Sequence, residues 1–173
     1  KYTWHKDAPE EITKSSLKVQ EKKIRDAKNP EHIPELEILV IDTSDSSKNV
    51  SYVNGLTTVE GGTHLEAAQE PICKHIIGLV IGNKKKSKKD KNPSITIKNI
   101  KPHLSFLVNA RIGDPEYTSQ SKTRMAAPQM NVSFTEGELK KIQDWDVIKR
   151  MYAELDAIAF KSASNSDGKK KKH

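Results

Sequence analysis

The sequence predicts an α/β (α+β) sandwich, in which one sheet of about four strands carries helices on one face. Three observations predict this fold. Residues 104–112 alternate apolar and polar side chains, as in a half-buried strand, and residues 36–42 form a compact β-rich run. Apolar side chains recur at helical spacing in residues 65–79 and 148–159. The predicted element order is β-β-α-β-β-α.

The first 34 residues carry the weakest pattern. A short helix is expected after Pro9, Glu10 and Glu11, running through three apolar residues: Leu17, Val19 and Ile24. Pro30 and Pro34 then interrupt the chain, because proline cannot continue a helix. We therefore treat residues 1–34 as a separate segment of uncertain structure.

A β-hairpin is expected next. The run from Leu36 to Asp42 is a strand, and residues 43–49 are rich in the serine, aspartate and lysine of turns. Residues 50–54 form a second strand, so we interpret residues 36–54 as a hairpin of two paired strands.

A helix follows Gly61 and Gly62. Thr63 and Glu66 have the spacing of a capping box, and one apolar face follows: Leu65, Ala68, Ile72, Ile76 and Leu79. Pro71 conflicts with a regular helix, so we expect either a kink at this proline or a helix that begins there. His64 has no partner at ligand spacing, and a capping or packing role is favoured over that of a ligand or base.

The second half of the chain predicts three further elements. Ile95 and Ile97 indicate a short strand, and residues 104–112 are the clearest strand in the chain. Residues 113–133 are expected to be mostly loop. A last helix carries an apolar face that Leu139 and Ile142 could extend backward: Ile148, Met151, Tyr152, Leu155, Ile158 and Ala159.

Composition restricts the class of protein. The net charge of +7 and the pI of about 9.3 favour a polyanionic partner, either nucleic acid or an anionic membrane surface. No apolar run approaches the roughly 20 residues of a spanning helix, and no signal peptide opens the chain, so we expect an intracellular protein. Cys73 is the single cysteine, which excludes an internal disulfide. Both ends look cut, so a fragment of a larger protein is expected.

Two long motifs are distinctive. Residues 51–64 read Ser-Tyr-Val-Asn-Gly-Leu-Thr-Thr-Val-Glu-Gly-Gly-Thr-His, and residues 106–122 end in Asp-Pro-Glu-Tyr-Thr-Ser-Gln-Ser-Lys. The two motifs resemble the transducer domain of type IIA DNA topoisomerases: the first is similar to that family's passage from strand to helix, and the second to its Asn-Pro-x-Phe-x-Ser-Gln-Thr-Lys. The resemblance covers residues 36–165 and implies a domain over 35–165 with the fold of domain 2 of ribosomal protein S five. That fold has a left-handed βαβ crossover, against the general right-handed rule.

The resemblance implies a nucleotide contact. The matching residues are Gln120, Ser121 and Lys122, in a loop that reaches the ATP pocket of the neighbouring ATPase domain in the family, where the lysine binds the γ-phosphate. A lysine ammonium suits a transferred phosphoryl group because it is a mobile point charge. Ser121 departs from the family's threonine but keeps a hydroxyl. The cofactor implied is ATP with Mg²⁺, held mainly by the ATPase domain.

A lysine-rich run implies a second contact. Six lysines occupy residues 84–91 and are opposed only by Asp90: Lys84, Lys85, Lys86, Lys88, Lys89 and Lys91. Composition alone leaves a DNA contact and a solvated loop equally open. In eukaryotic-type topoisomerase II a lysine-rich loop after this helix touches DNA, which favours double-stranded DNA as partner and the eukaryotic or viral branch. A basic linker or tail is expected over 166–173.

The resemblance also implies the context. The expected function is to couple ATP binding and hydrolysis to DNA strand passage in a homodimeric isomerase, in the nucleus of a eukaryote or in the host nucleus or cytoplasm of a virus. Its other partners would be the ATPase and cleavage domains of the same polypeptide, with no membrane. No catalytic residue, metal ligand or nicking tyrosine is expected in the fragment, which alone should be inactive. The alternatives are a non-enzymatic nucleic-acid-binding module of this fold and the matching domain of a mismatch-repair or chaperone ATPase.

Overall fold

The computed structural model describes residues 16–23, 35–44, 46–82 and 95–167. In that part of the chain a five-stranded sheet has the order β1-β2-β5-β3-β4, and its strands are β1 (Ser16–Lys23), β2 (Glu35–Asp42), β3 (Val50–Val53), β4 (Leu56–Thr57) and β5 (Leu104–Arg111). A separate hairpin contains β6 (Glu116–Tyr117) and β7 (Met125–Ala127). The described α-helices are α1 (Thr63–Gly82), α2 (Ile97–Ile100), α3 (Glu136–Lys140) and α4 (Asp146–Asp167). The mixed α/β fold predicted from the sequence is confirmed, and the main sheet has five strands where about four were expected.

Strand β5 lies at the centre of the sheet. It pairs antiparallel with β2 from Leu104 opposite Asp42 to Arg111 opposite Glu35, and it pairs parallel with β3 on its other side. The predicted hairpin of β2 and β3 is therefore wrong, because β5 lies between them. The physical reason is length and pattern: β2 and β5 offer each other eight residues of matching alternation, whereas β3 has four.

Strands β3 and β5 form the crossover of the fold. They are parallel neighbours, and the connection between them contains α1 and α2. Parallel neighbours require such a connection, because a tight turn can join only antiparallel strands. The left-handed sense of this crossover stays a prediction from the resemblance.

The core lies between the sheet and the helices. Every second residue of β2 and β5 is buried, and these side chains belong to one cluster with the buried faces of α1 and α4. The large and almost completely enclosed members of this cluster include Leu36, Ile38, Ile72, Ile76, Ile100, Leu104, Phe106, Met125, Ile142 and Met151. The helices therefore cover one face of the sheet, as the sequence predicts. Within the described residues, no helix is long and apolar enough to cross a membrane.

The N-terminal helix prediction is wrong. Residues Ser16–Lys23 form strand β1, which pairs antiparallel with the edge of β2, with Leu17 opposite Val40 and Val19 opposite Ile38. Leu17 and Val19 are two residues apart, which is the spacing of one face of a strand. The free edge of β2 supplies backbone hydrogen-bonding partners. These stabilise a strand here more than the thin apolar stripe could stabilise a helix.

Four further expectations need correction. Ile97 begins helix α2 instead of a strand, since Thr96 N donates to Asn99 Oδ1 (3.0 Å) and starts a helical turn. Helix α1 runs continuously from Thr63 through Pro71 and does not begin at the proline. The capping box expected of Thr63 and Glu66 is replaced by longer-range contacts, because Thr63 donates to Pro128 O and Glu66 pairs with Arg124. Leu139 lies on α3, and the turn at residues 141–144 separates α3 from α4.

Asp42 connects the sheet to helix α4. Its carboxylate, 4% exposed, accepts a hydrogen bond from Val147 N (2.9 Å) in the first turn of α4 and forms an ion pair with Arg150. Arg150 also donates to Thr43 O (3.3 Å). A carboxylate at a helix N-terminus satisfies an unpaired N–H and interacts favourably with the helix dipole. The end of β2 thus fixes where α4 begins.

Asp42→Ala should lower the free energy of unfolding of the chain by about 3 kcal/mol, because it leaves the Arg150 guanidinium partly buried without its partner. The control is Asp146→Ala, which removes an exposed pair with Lys149 (2.9 Å) and should cost less than about 1 kcal/mol. Urea unfolding measures both. Equal losses in the two variants would contradict the role of Asp42.

His64 belongs to a buried polar chain at the start of α1. Its side chain is completely buried, and Nε2 lies 3.1 Å from Thr58 Oγ1, which in turn lies 2.7 Å from Ser51 Oγ. Burial lowers the pKa of His64 to about 4, and the nearby Glu66 carboxylate only partly opposes this shift. The imidazole is therefore neutral at neutral pH. These contacts fit the packing role predicted for His64 and join strand β3 to helix α1.

His64 should make the chain less stable as the pH falls from 6.5 to 4. The unfolded chain binds a proton near pH 6.5 and the folded chain only near pH 4, so stability is complete above pH 6.5 and declines between the two values. The loss should reach about 3 kcal/mol relative to a His64→Gln variant. Urea unfolding at pH 7.5 and 4.5 measures the difference, with His103→Gln as the control. A wild type and a His64→Gln variant with the same pH dependence would refute this prediction.

Candidate functional site

The two sequence motifs meet at the base of the hairpin β6–β7. Glu60 N donates to Thr123 O (2.9 Å), and Met125 N donates to Gly61 O (3.1 Å). Gly62 and Met125 form an isolated parallel bridge. The Gly-Gly-Thr-His passage therefore runs beside the strand that leaves the Ser-Gln-Ser-Lys loop, although about 60 residues separate the two segments in the chain.

Gly62 permits this close approach. A Cβ atom at this position would lie 2.7 Å from Met125 N and closer still to Met125 O, and the φ angle of +135° is in a region that favours glycine. The next residue extends the contact, since Thr63 Oγ1 donates to Pro128 O (2.9 Å). The glycines thus serve close packing and a sharp entry into α1.

Arg124 adds side-chain contacts to the same junction. Its Nη1 donates to Glu60 O (3.1 Å), and its Nη2 forms an ion pair with Glu66 Oε1 (2.6 Å) in the first turn of α1. Arg124 O accepts from Thr118 N (3.0 Å), which closes the hairpin. One residue therefore contacts the opposite hairpin strand, the turn before α1 and α1 itself.

Asn54 holds the other approach to the hairpin. Its side-chain amide donates to Ile112 O (2.8 Å) and accepts from Ile112 N (2.9 Å), and its own N–H donates to Ala110 O (2.8 Å). Asn54 has a φ of +50°, a conformation that asparagine tolerates better than most residues. The chain that leaves β5 toward β6 is thereby fixed to the end of β3.

The predicted nucleotide-contact residues lie together at the tip of the hairpin. Gln120, Ser121 and Lys122 are exposed, and Ser119 Oγ lies 2.7 Å from Ser121 Oγ. Lys122 N donates to Ser119 O (3.1 Å), which makes a tight turn with a φ of +56° at Lys122. The Lys122 ammonium lies 5.6 Å from the centre of the Tyr117 ring, at a cation–π distance. The tip can offer one cation, an amide and a hydroxyl to an anion.

The predicted DNA-contact lysines fall outside the described residues. Lys84, Lys85, Lys86, Lys88, Lys89 and Lys91 belong to the segment between the end of α1 at Gly82 and the buried Ile95. The basic tail after residue 167 also lies outside them. Across the described ranges, no group of three or more His, Cys, Asp and Glu side chains could hold a metal ion.

Sequence reasoning missed the residues that support the loop. The sequence did not indicate this role for Arg124, Glu60 and Glu66. The bonds of Arg124 span 64 and 58 residues, so they produce no local spacing pattern. Glu66 was assigned to a capping box instead. The aromatic residue at Tyr117 is part of the recognised motif, but its contact with Lys122 is visible only in three dimensions.

Comparison with known proteins identifies the family. The model of the DNA gyrase B family matches residues 5–173. DNA topoisomerase 2 of Arabidopsis thaliana is 31% identical over 138 residues, covering 78% of this chain and 9% of the relative. DNA topoisomerase 2 of Saccharomyces cerevisiae is 32% identical over 130 residues, covering 73% of this chain and 9% of the relative. The chain thus spans about a tenth of the length of these relatives.

A solved structure has the same fold. The ATPase and transducer domains of DNA topoisomerase II from Balamuthia mandrillaris superpose with a TM-score of 0.64 at 19% identity, covering 84% of this chain and 34% of that one. This likeness concerns the fold alone, and the family model supplies the assignment. The chain belongs to the DNA gyrase B family of the type IIA DNA topoisomerases.

Proposed function

We propose that this chain is the transducer domain of an ATP-dependent type II DNA topoisomerase. In this role it couples the binding and hydrolysis of ATP in an adjacent ATPase domain to the passage of one DNA duplex through another. The observation that carries the proposal is the hairpin β6–β7, which presents Lys122 at an exposed tip and is bonded at its base to helix α1. The domain itself supplies contacts and rigidity, and the cleavage of DNA belongs to other domains.

The nucleotide contact rests on the chemistry of the hairpin tip. Lys122 can neutralise the charge that develops on the γ-phosphoryl group during transfer, and Gln120 can donate to a phosphate oxygen or orient water. Lys122 is exposed at a turn with a left-handed φ of +56°, and the Tyr117 ring offers the ammonium a contact that a triphosphate can outcompete. ATP would arrive with Mg²⁺ held by the ATPase domain.

The DNA contact rests on charge and position. Six lysines in residues 84–91 can each pair with a phosphate and release condensed counterions. Val80, near the end of helix α1, and Ile95 are both buried in the core, so the described chain on either side of the run is fixed to the domain. No aromatic residue interrupts the run, so we propose contact with the backbone of DNA without reading of sequence.

The connectivity of helix α1 supports the proposed coupling between the two contacts. Helix α1 begins at the hairpin base and ends where the lysine run starts, so one rigid element separates the proposed ATP and DNA contacts. Loss of the γ-phosphate would release Lys122 and change the position of the ATPase domain on this chain. In the longer enzyme the partners are double-stranded DNA, the ATPase and cleavage domains, and a second copy of the polypeptide.

Lys122→Ala in the full-length enzyme should lower kcat for ATP hydrolysis at least about tenfold, because a cation that stabilises transition-state charge is lost. Strand passage should fall with it, whereas the melting temperature should be unchanged because the side chain is exposed. The matched control is Lys140→Ala, another exposed lysine. An enzyme with Lys122→Ala and normal ATP turnover would remove the basis for the nucleotide role.

Replacement of the six lysines of residues 84–91 by alanine should weaken DNA binding and DNA-stimulated ATP hydrolysis in the full-length enzyme. If all six contact phosphates, the slope of log binding constant against log salt should become shallower by up to about 5 units. Alanine at Lys169, Lys170, Lys171 and Lys172 provides a control that also removes a run of positive charge. Equal effects of the two replacements would reduce the role of residues 84–91 to general charge.

A further inference from the structure

The two sides of the Ser-Gln-Ser-Lys loop differ in how they are held. On the side that follows Lys122, residues 123–125 contact residues 60–62, and Arg124 also bonds to Glu66 in the first turn of α1. On the preceding side, Ser119 and Ser121 are exposed, and their hydroxyls bond to each other. The chain before the loop is bonded to Asn54 at Ile112, much further from Lys122 than Arg124 is, so a force on Lys122 is resisted mainly on the side of Arg124.

Arg124 makes the contacts that would carry such a force. It is two residues after Lys122, and its guanidinium bonds Glu60 O (3.1 Å) and Glu66 Oε1 (2.6 Å) with separate nitrogens. A planar guanidinium can satisfy both acceptors at once, whereas a lysine ammonium has no fixed fork. Glu66 lies in the first turn of α1, whose later residues Ile72 and Ile76 are completely buried in the core.

The stability of the fold does not depend strongly on these contacts. The Arg124 and Glu66 side chains are 42% and 52% exposed, and ion pairs exposed to solvent contribute little to the stability of a fold. A residue with three specific contacts and a small contribution to folding is a candidate for placing its neighbour. The neighbour with proposed chemistry is Lys122, whose ammonium must be held to within about an ångström of its productive position, because a misplacement of that size can cost about a hundredfold in rate.

We infer that Arg124 is a positioning residue for ATP hydrolysis, which holds Lys122 in place against the γ-phosphate and connects the loop to helix α1 through Glu60 and Glu66. This inference rests on the proposed function and names the contact through which the loop and the helix move together. Arg124 itself touches no substrate. Its effect should therefore appear in the placement of Lys122 and disappear when Lys122 is absent.

The experiment measures ATP hydrolysis by the full-length enzyme. Arg124→Ala should lower kcat about tenfold and change KM less than about threefold, because misplacement of Lys122 affects the transition state more than substrate binding. Arg124→Lys should recover part of the loss, and the exchange Arg124→Glu with Glu66→Arg should recover more than either single variant. In a Lys122→Ala background, Arg124→Ala should have no further effect on kcat.

The matched control is Lys74→Ala. It removes the pair with Glu70 (2.6 Å), which lies one turn further along α1 and is comparably exposed at 65% and 56%. Both alanine variants should melt within a few degrees of the wild type, and Lys74→Ala should hydrolyse ATP normally. This comparison separates a positioning role from the loss of an ion pair on the same helix.

The outcomes distinguish the two proposals. If Lys122→Ala is slow and Arg124→Ala is as active as Lys74→Ala, the positioning role is wrong and the proposed function stands. If Lys122→Ala hydrolyses ATP normally, the proposed function fails and the positioning role with it. A fall in kcat for Arg124→Ala that matches a large fall in melting temperature, or that persists unchanged in the Lys122→Ala background, would also overturn the positioning role.

Discussion

The close backbone contact between Gly62 and Met125 is the constraint on which the proposed coupling depends, a relay from Lys122 through helix α1 to the lysines of residues 84–91. A side chain at Gly62 would collide with the Met125 backbone, and its φ of +135° disfavours any other residue. The contact sets the hairpin β6–β7 beside the first turn of α1, where Arg124 and Thr63 can add their bonds. Without this approach the strand that leaves the Lys122 loop would lose its close contact with the start of α1.

Strand β3 and helix α1 both connect to that contact. Strand β3 reaches the junction through Asn54 and the buried chain of Ser51, Thr58 and His64, so the parallel pair of β3 and β5 is tied to the helix that follows. Helix α1 then crosses the core toward the lysine run. We propose that this continuity is the physical basis of coupling, because a displacement at the hairpin base would move a packed helix and would not be absorbed by a loop.

The sequence predicted what depends on local pattern and missed what depends on distant partners. The alternation of β5 predicted a strand, the apolar face of α1 predicted a helix, and the two motifs led to the correct family. The pairing of β2 with β5 could not be predicted from the order of the strands along the chain. Strand β5 offers β2 a longer complementary partner than β3, the next strand in sequence, does. Leu17 and Val19 entered a strand because β2 offered an open edge. Glu66 pairs with Arg124, a partner 58 residues away that no capping rule anticipates.

The most direct measurement is a structure of the full-length enzyme with Mg²⁺ and a non-hydrolysable ATP analogue. The proposed relay predicts that Lys122 Nζ leaves the Tyr117 ring and lies about 3 Å from a γ-phosphate oxygen. It also predicts that Arg124 keeps its bonds to Glu60 and Glu66 in that state. A bound nucleotide with Lys122 still over Tyr117, and with its γ-phosphate held entirely by other residues, would contradict the proposed function.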